Sequence, residues 1–150
     1  AWARPMFEER LCQLVDVRRL SWPRCPKGQI GTNVEFMWNI VTHKCHRYKL
    51  ADCLRAVRRD FEHLEQVNAD TDVHTIGVYC KQGFHRSVAI GLLLWAIFVN
   101  LGYKCPMPIF YSKHIWKKAR QCTTCRLCCS DAVGRGDCYA EACKIWHASK

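Results

Sequence analysis

Between Val73 and Leu101 the chain changes character twice, and that succession limits the folds open to it. Val73 to Tyr79 is short, mostly apolar or β-branched and flanked by polar residues, the pattern of a buried strand. Cys80 to Ser87 is polar. Val88 to Leu101 is then apolar almost all round, which predicts a helix buried against a sheet and stopped at Gly102. Length suits one domain: at 150 residues a chain buries roughly 70% of its unfolded surface and needs no staples. A disulfide-dependent mini-protein is thereby excluded.

The flanking segments fit an α/β layer. Leu14 to Leu20 starts as an apolar run, alternates, and ends at Ser21-Trp22-Pro23, as a strand and a breaker do. From Pro23 to His46 no period persists. Leu50, Cys53, Leu54, Val57, Phe61, Leu64 and Val67 recur at intervals of three and four, an amphipathic helix from Tyr48 to Val67. Cys105 to Tyr111 is a candidate third strand. The order strand, helix, strand, helix, strand predicts the α/β class: a small, mostly parallel sheet with flanking helices. An irregular Cys-rich C-terminal tail follows, giving a domain over residues 11–120 and a tail over 121–150.

Of the 12 cysteines, six are spread singly through the first 105 residues and six crowd the last 29. That distribution does not suit one disulfide framework. Residues Ala1 to Glu8 carry no secretory pattern and no Asn-x-Ser/Thr acceptor occurs, so a cytoplasmic or other reducing compartment is expected. The first residue is Ala1 and not Met, which leaves room for an upstream segment. The longest apolar run, Val88 to Val99, has about a dozen residues against the roughly 20 needed to span a bilayer, so no membrane is expected.

The densest chemistry lies where the second strand hands over to the buried helix, in Cys80-Lys-Gln-Gly83-Phe-His85-Arg86-Ser87. Ligands of open α/β sheets bind at the carboxyl ends of strands. A loop entering a helix offers unpaired N–H groups and the positive end of the helix dipole, a setting for phosphate. Gly83 can take a positive φ that turns successive amides inward, and Arg86 can fork two donors onto phosphate oxygens. His85 adds a further donor; Ser87 can cap the helix or bond the Cys80 sulfur.

Two families share this spacing. Cys80-x5-Arg86-Ser87 resembles the loop of protein tyrosine and dual-specificity phosphatases, which implies Cys80 as nucleophile and Arg86 as phosphoryl clamp. Those enzymes usually carry His before the Cys, where this chain has Tyr79, and an upstream Asp as general acid. Asp52 and Asp60 fall within the periodic helix, and Asp70 and Asp72 lie close to the strand.

The second resemblance spans about three quarters of the chain. Cys80-x-x-Gly83-x-His85-Arg86-Ser87-Val88 is similar to the signature of the C-terminal domain of the RapZ family of RNase adapter proteins. Val15-Asp16-Val17-Arg18 with Leu20 and Pro23 resembles that family's opening strand, and the helix Tyr48 to Leu64 lies where the family places one. Ser112-Lys113-His114 with Lys117-Lys118 resembles its closing basic segment. The resemblance implies a non-enzymatic module that binds a phosphorylated metabolite, a sugar phosphate or nucleotide, and RNA. It also implies that Asp16, Arg18, Cys80, Gly83, His85, Arg86 and Ser87, with His114, line the ligand pocket. Lys81 and Gln82 replace the family's small residues, and the absence of Gly-x4-Gly-Lys-Ser/Thr leaves no Walker loop for ATP.

A formal net charge of +10 adds a second candidate surface. Lys49, Arg55, Arg58 and Arg59 on the first helix, and Lys113, Lys117, Lys118 and Arg120 near the end, could face a polyanion, with Trp116 placed to stack on an unpaired base. In the tail, Cys122, Cys125, Cys138 and Cys143, with His147 nearby, offer a ligand set for zinc. Disulfides, or a tail without any site, are the alternatives.

Overall fold

The computed structural model describes residues 12–18, 23–67, 73–111, 113–129 and 132–149. Two parallel strands, β1 (Cys12–Asp16) and β2 (Thr75–Tyr79), pair from Cys12 opposite Thr75 to Asp16 opposite Tyr79. Parallel neighbours cannot be joined by a tight turn. The crossover here holds two helices, α1 (Val34–Thr42) and α2 (Lys44–Val67). Beyond β2 come α3 (Arg86–Asn100), one turn of 3-10 helix (Lys113–Ile115) and α4 (Arg135–Ala148). The chain therefore has the expected class, a small parallel sheet with flanking helices and a Cys-rich C-terminal region. No helix among the described residues is long and apolar enough to cross a membrane.

Alternation along β1 turns Gln13, Val15 and Val17 inward and leaves Leu14 exposed. The buried Gln13 side chain donates its Nε2 to the Val57 carbonyl of α2 at 3.0 Å, while its Oε1 is left without a hydrogen-bond partner among the described residues. α3 is the centre of the core, with Leu92, Leu93, Leu94, Ile97 and Phe98 all buried, as its all-round apolar sequence predicts. Burying side chains such as Leu93 and Ile97 contributes about 2 kcal/mol each. α3 packs on β2 and α4, and α4 packs in turn on α1 and α2.

Three segments differ from the sequence reading. Residues 105–110 form no strand, because Pro106 and Pro108 lack the N–H donors that a ladder uses. Within the aperiodic stretch 23–46 lies α1, whose Phe36, Met37, Ile40 and Val41 make a buried stripe. Its N-cap Asn33 accepts the Phe36 amide at 2.9 Å. The Cys-rich region is irregular only up to Gly134; α4 then contributes Cys138, Ala142, Ile145 and Trp146 to the same core as the rest of the chain. Leu20, Ser21, Trp22, Asp70, Asp72 and Ser112 lie outside the described residues.

Candidate anion site at the carboxyl end of the sheet

Cys80 follows the last residue of β2, and after five intervening residues α3 begins at Arg86. Gly83 has φ 75°, the left-handed conformation that glycine adopts without strain. Its amide consequently points back at the Cys80 sulfur, 3.2 Å away, and the Ser87 hydroxyl lies 3.2 Å from the same sulfur. The backbone amides of Gln82 and Ser87 add to the donor field around it. Burial pushes the thiol up, but these hydrogen bonds together outweigh burial, so Cys80 ionises below the ordinary 9.0 of a thiol. Burial drives Cys53 the other way, to about 11. Alkylation by iodoacetamide, followed by mass spectrometry across pH, should therefore reach its half-maximal rate at lower pH for Cys80 than for Cys53. Ser87→Ala should move the Cys80 midpoint upward, and an unmoved midpoint would contradict the assigned role of the hydroxyl.

Ser87 does not cap the helix. The N-cap is His85, which makes no side-chain capping bond, while Ser87 lies in the first turn with its hydroxyl turned to Cys80. The imidazole Nε2 of His85 meets the Gln29 carbonyl at 2.7 Å, so this nitrogen anchors the loop. Arg86 Nη1 donates to the Arg18 carbonyl at 2.9 Å, which holds the guanidinium over the carboxyl end of β1.

Asp16 and Arg18 are brought to the same end of the sheet, Asp16 directly opposite Tyr79 in the register. They meet as a two-pronged ion pair, Nε to Oδ1 at 3.0 Å and Nη2 to Oδ2 at 2.8 Å, and the guanidinium lies 5.1 Å from the Tyr79 ring centroid. The Arg18 hydrogen bond holds the Asp16 carboxyl down at about 2. A depressed carboxylate stabilises the fold above its ordinary 3.8, and that contribution is lost as pH falls through about 2. With half of the Arg18 side chain exposed, the contribution is small. His114 belongs to its own turn, Nδ1 bonded to the Tyr111 carbonyl at 2.9 Å.

The loop 23–33 closes the back of the site. The Gly31 amide donates to the Phe84 carbonyl at 2.7 Å, and a side chain on Gly31 would fall 2.0 Å from the His85 carbonyl oxygen. Neither Gly31 nor Gln29 is among the residues the sequence singles out; a glycine within an aperiodic stretch looks like any turn glycine.

On the other side of this loop, Cys122, Cys125 and Cys128 lie close enough to hold a metal ion, their sulfurs all within 4.8 Å of one another. The expected partners Cys138 and Cys143 are not in this group. They are on α4, where Cys138 is fully buried with its thiol 3.9 Å from the Val34 carbonyl, filling the core as a small apolar residue does. Cys128 was missed, although the repeated two-residue spacing from Cys122 was in plain view.

The basic segments divide. Lys113, Lys117, Lys118 and Arg120 are exposed. Trp116 is only 2% exposed and packs on Phe110 with ring centroids 5.8 Å apart, so it is not offered to a base. On α2, Arg55 pairs with Asp52, and Arg58 stacks 4.2 Å from the Trp146 ring centroid and donates to the Trp146 carbonyl. A cleft of about 470 Å³ lined by Arg58, Glu62, Leu101, Trp146 and His147 is formed at that contact, away from the Cys80 loop. Compared with protein-family models, curated proteins and solved structures, the chain has no match.

Proposed function

We propose that the chain is a non-enzymatic binding module, similar to the RapZ C-terminal domain, that takes the phosphate of a phosphorylated metabolite at the Cys80–Ser87 loop. One observation carries the reading: the Gly83 amide and the Ser87 hydroxyl converge on the Cys80 sulfur at the end of β2, beside Arg86 and at the start of a 15-residue helix. Arg86, held over the carboxyl end of β1 by its bond to the Arg18 carbonyl, supplies the charge-assisted contact. The exposed lysines at 113, 117 and 118 add a charged surface for a polyanion such as RNA, through charge alone. The clustered thiols of the C-terminal region support zinc as a structural metal.

A cysteine-dependent phosphatase is the second reading, favoured by the lowered Cys80 thiol. Among the described residues, Asp16 is a poor general acid, since its carboxyl near 2 carries no proton to donate at neutral pH. Calorimetry with a hexose 6-phosphate tests the binding reading. Arg86→Ala is expected to weaken affinity about 10- to 100-fold, the worth of a hydrogen bond to a charged group. Unchanged affinity would remove Arg86 from the site. Turnover of p-nitrophenyl phosphate that Cys80→Ser abolishes would replace the binding module with the phosphatase.

A further inference from the structure

The three clustered thiols leave a tetrahedral zinc one ligand short, and the loop 23–33, bonded to their turn, carries a further cysteine, Cys25, outside the 4.8 Å group. Zinc bound to four thiolates has Zn–S bonds of about 2.3 Å and therefore sulfurs roughly 3.8 Å apart, compatible with a group already gathered within 4.8 Å. The turn that carries them is shaped for a metal. The Cys128 and Cys129 amides both bond the Cys125 carbonyl, at 3.1 and 2.9 Å, while the Leu127 and Cys128 amides point at the Cys125 sulfur.

Cys25 approaches this group from the loop 23–33 without belonging to it. Its thiol points at the Ile30 carbonyl, 3.7 Å away, and the Ile30 amide points at the Cys128 sulfur, so one residue separates the two thiols. Cys25, Cys122 and Cys125 are partly buried against the core that contains Cys128. The two loops are joined further: Cys122 N–H donates to the Gly28 carbonyl, Thr32 Oγ1 to the Cys128 carbonyl at 2.8 Å, and the Val34 amide to Leu127 at 2.9 Å.

Resting on the reading of zinc in the C-terminal region, we propose that Cys25, Cys122, Cys125 and Cys128 form a four-thiolate zinc site that fastens the loop 23–33 against the anion loop. Gln29 connects the two. Its side-chain oxygen accepts the thiols of Cys125 at 3.4 Å and Cys128 at 2.8 Å, and its backbone carbonyl holds His85 of the anion loop at 2.7 Å. Zinc takes the place of the thiol protons, which leave to solvent, and no oxidation is involved. The Gln29 side chain then keeps its bond from Asn33 Nδ2 at 3.0 Å, and the backbone anchor to His85 is undisturbed. The metal therefore acts as a clamp on the back wall of the anion site, and the reacting or binding groups stay on Cys80 to Ser87.

The test uses the full chain, reduced and stripped of metal by a chelator, then titrated with Co2+ and back-titrated with Zn2+. One Co2+ per chain is expected, with thiolate-to-cobalt charge-transfer and tetrahedral ligand-field absorption that Zn2+ bleaches. Cys25→Ser should lower the charge-transfer intensity by about a quarter, one thiolate in four, and weaken binding roughly tenfold or more. Cys143→Ser should bind as the unaltered chain does. Alkylation of the zinc-loaded chain gives a readout free of any variant: Cys25, Cys122, Cys125 and Cys128 should be protected together while exposed Cys45 reacts. Absence of stoichiometric metal would overturn the zinc reading and this inference together. A normal cobalt spectrum in Cys25→Ser, with Cys25 alkylated beside three protected thiols, would overturn the fourth ligand alone. A spectrum lost in Cys143→Ser would return the ligand set to α4.

Discussion

Gly31→Ala is expected to lower folding stability by about 3 kcal/mol, a fall of roughly 10 °C in melting temperature for a chain of this size. The reason is space and not backbone conformation. A Cβ at this position would lie 2.0 Å from the His85 carbonyl oxygen, 2.7 Å from the Ala89 nitrogen and 2.8 Å from the Val88 Cβ. Two of these are backbone atoms of the first turn of α3, joined by their own hydrogen bond at 3.0 Å, so they cannot yield as a flexible side chain would. Relief requires the loop 23–33 to withdraw, which breaks the Gly31 to Phe84 bond and the Gln29 to His85 anchor. Phosphate affinity should therefore fall with stability. In α3, Gly91 meets nothing within 4 Å, and the same exchange there should instead stabilise by about 0.8 kcal/mol, the helix preference for alanine. Differential scanning calorimetry of both variants checks the pair; a Gly31→Ala protein melting within 2 °C or so of the parent would show that the contact is soft.

Trp146→Ala is expected to cost about 4 kcal/mol, within the range for deleting a buried indole. Trp146 is 5% exposed, packs on Phe98 of α3 with centroids 5.7 Å apart, and carries the Arg58 guanidinium at 4.2 Å. Its loss leaves a cavity where α2, α3 and α4 meet and removes a cation–π contact. Val133, 88% exposed just before α4, is the matched control: Val133→Ala should change stability by no more than about 0.5 kcal/mol. Urea unfolding of the two variants distinguishes a helix integral to the core from one lying loosely upon it. Equal midpoints would mean that α4 docks without contributing to cooperativity.

The parts of the fold that were legible in the sequence are those whose pattern comes from one dominant burial. α3 is surrounded on every side and reads as apolar on every side; α2 is covered along one stripe and repeats at three and four. α1 was hidden because nine residues are too few for a period to stand out, although Asn33 before Phe36 is a capping signal. α4 was hidden differently. Its inward stripe is Cys138, Ala142, Ile145 and Trp146, and reading Cys138 as a ligand removed it from the apolar count.

Within the site, the Cys80 to Ser87 motif was legible because its residues are contiguous. Gly31 and Gln29 were not, since they join it only through contacts about 55 residues distant in sequence, such as Gln29 with His85. Trp116 misled for a related reason: surrounded by cations in sequence, it is covered by Phe110 in space.

The parallel pairing of β1 with β2 also bears on how the chain reaches its native state. Residue 12 meets residue 75, so about 60 residues must be looped out before the first rung of the sheet can form. Helices α1 and α2 can form within that loop from local contacts, whereas the strand pair depends on distant ones. The anion loop is positioned by β2 and by the Arg86 bond to Arg18 at the end of β1, and so it exists only once that closure is complete. If the proposed binding holds, a phosphorylated ligand would meet a finished site, could not template the fold, and would slow unfolding by holding the two strand ends together.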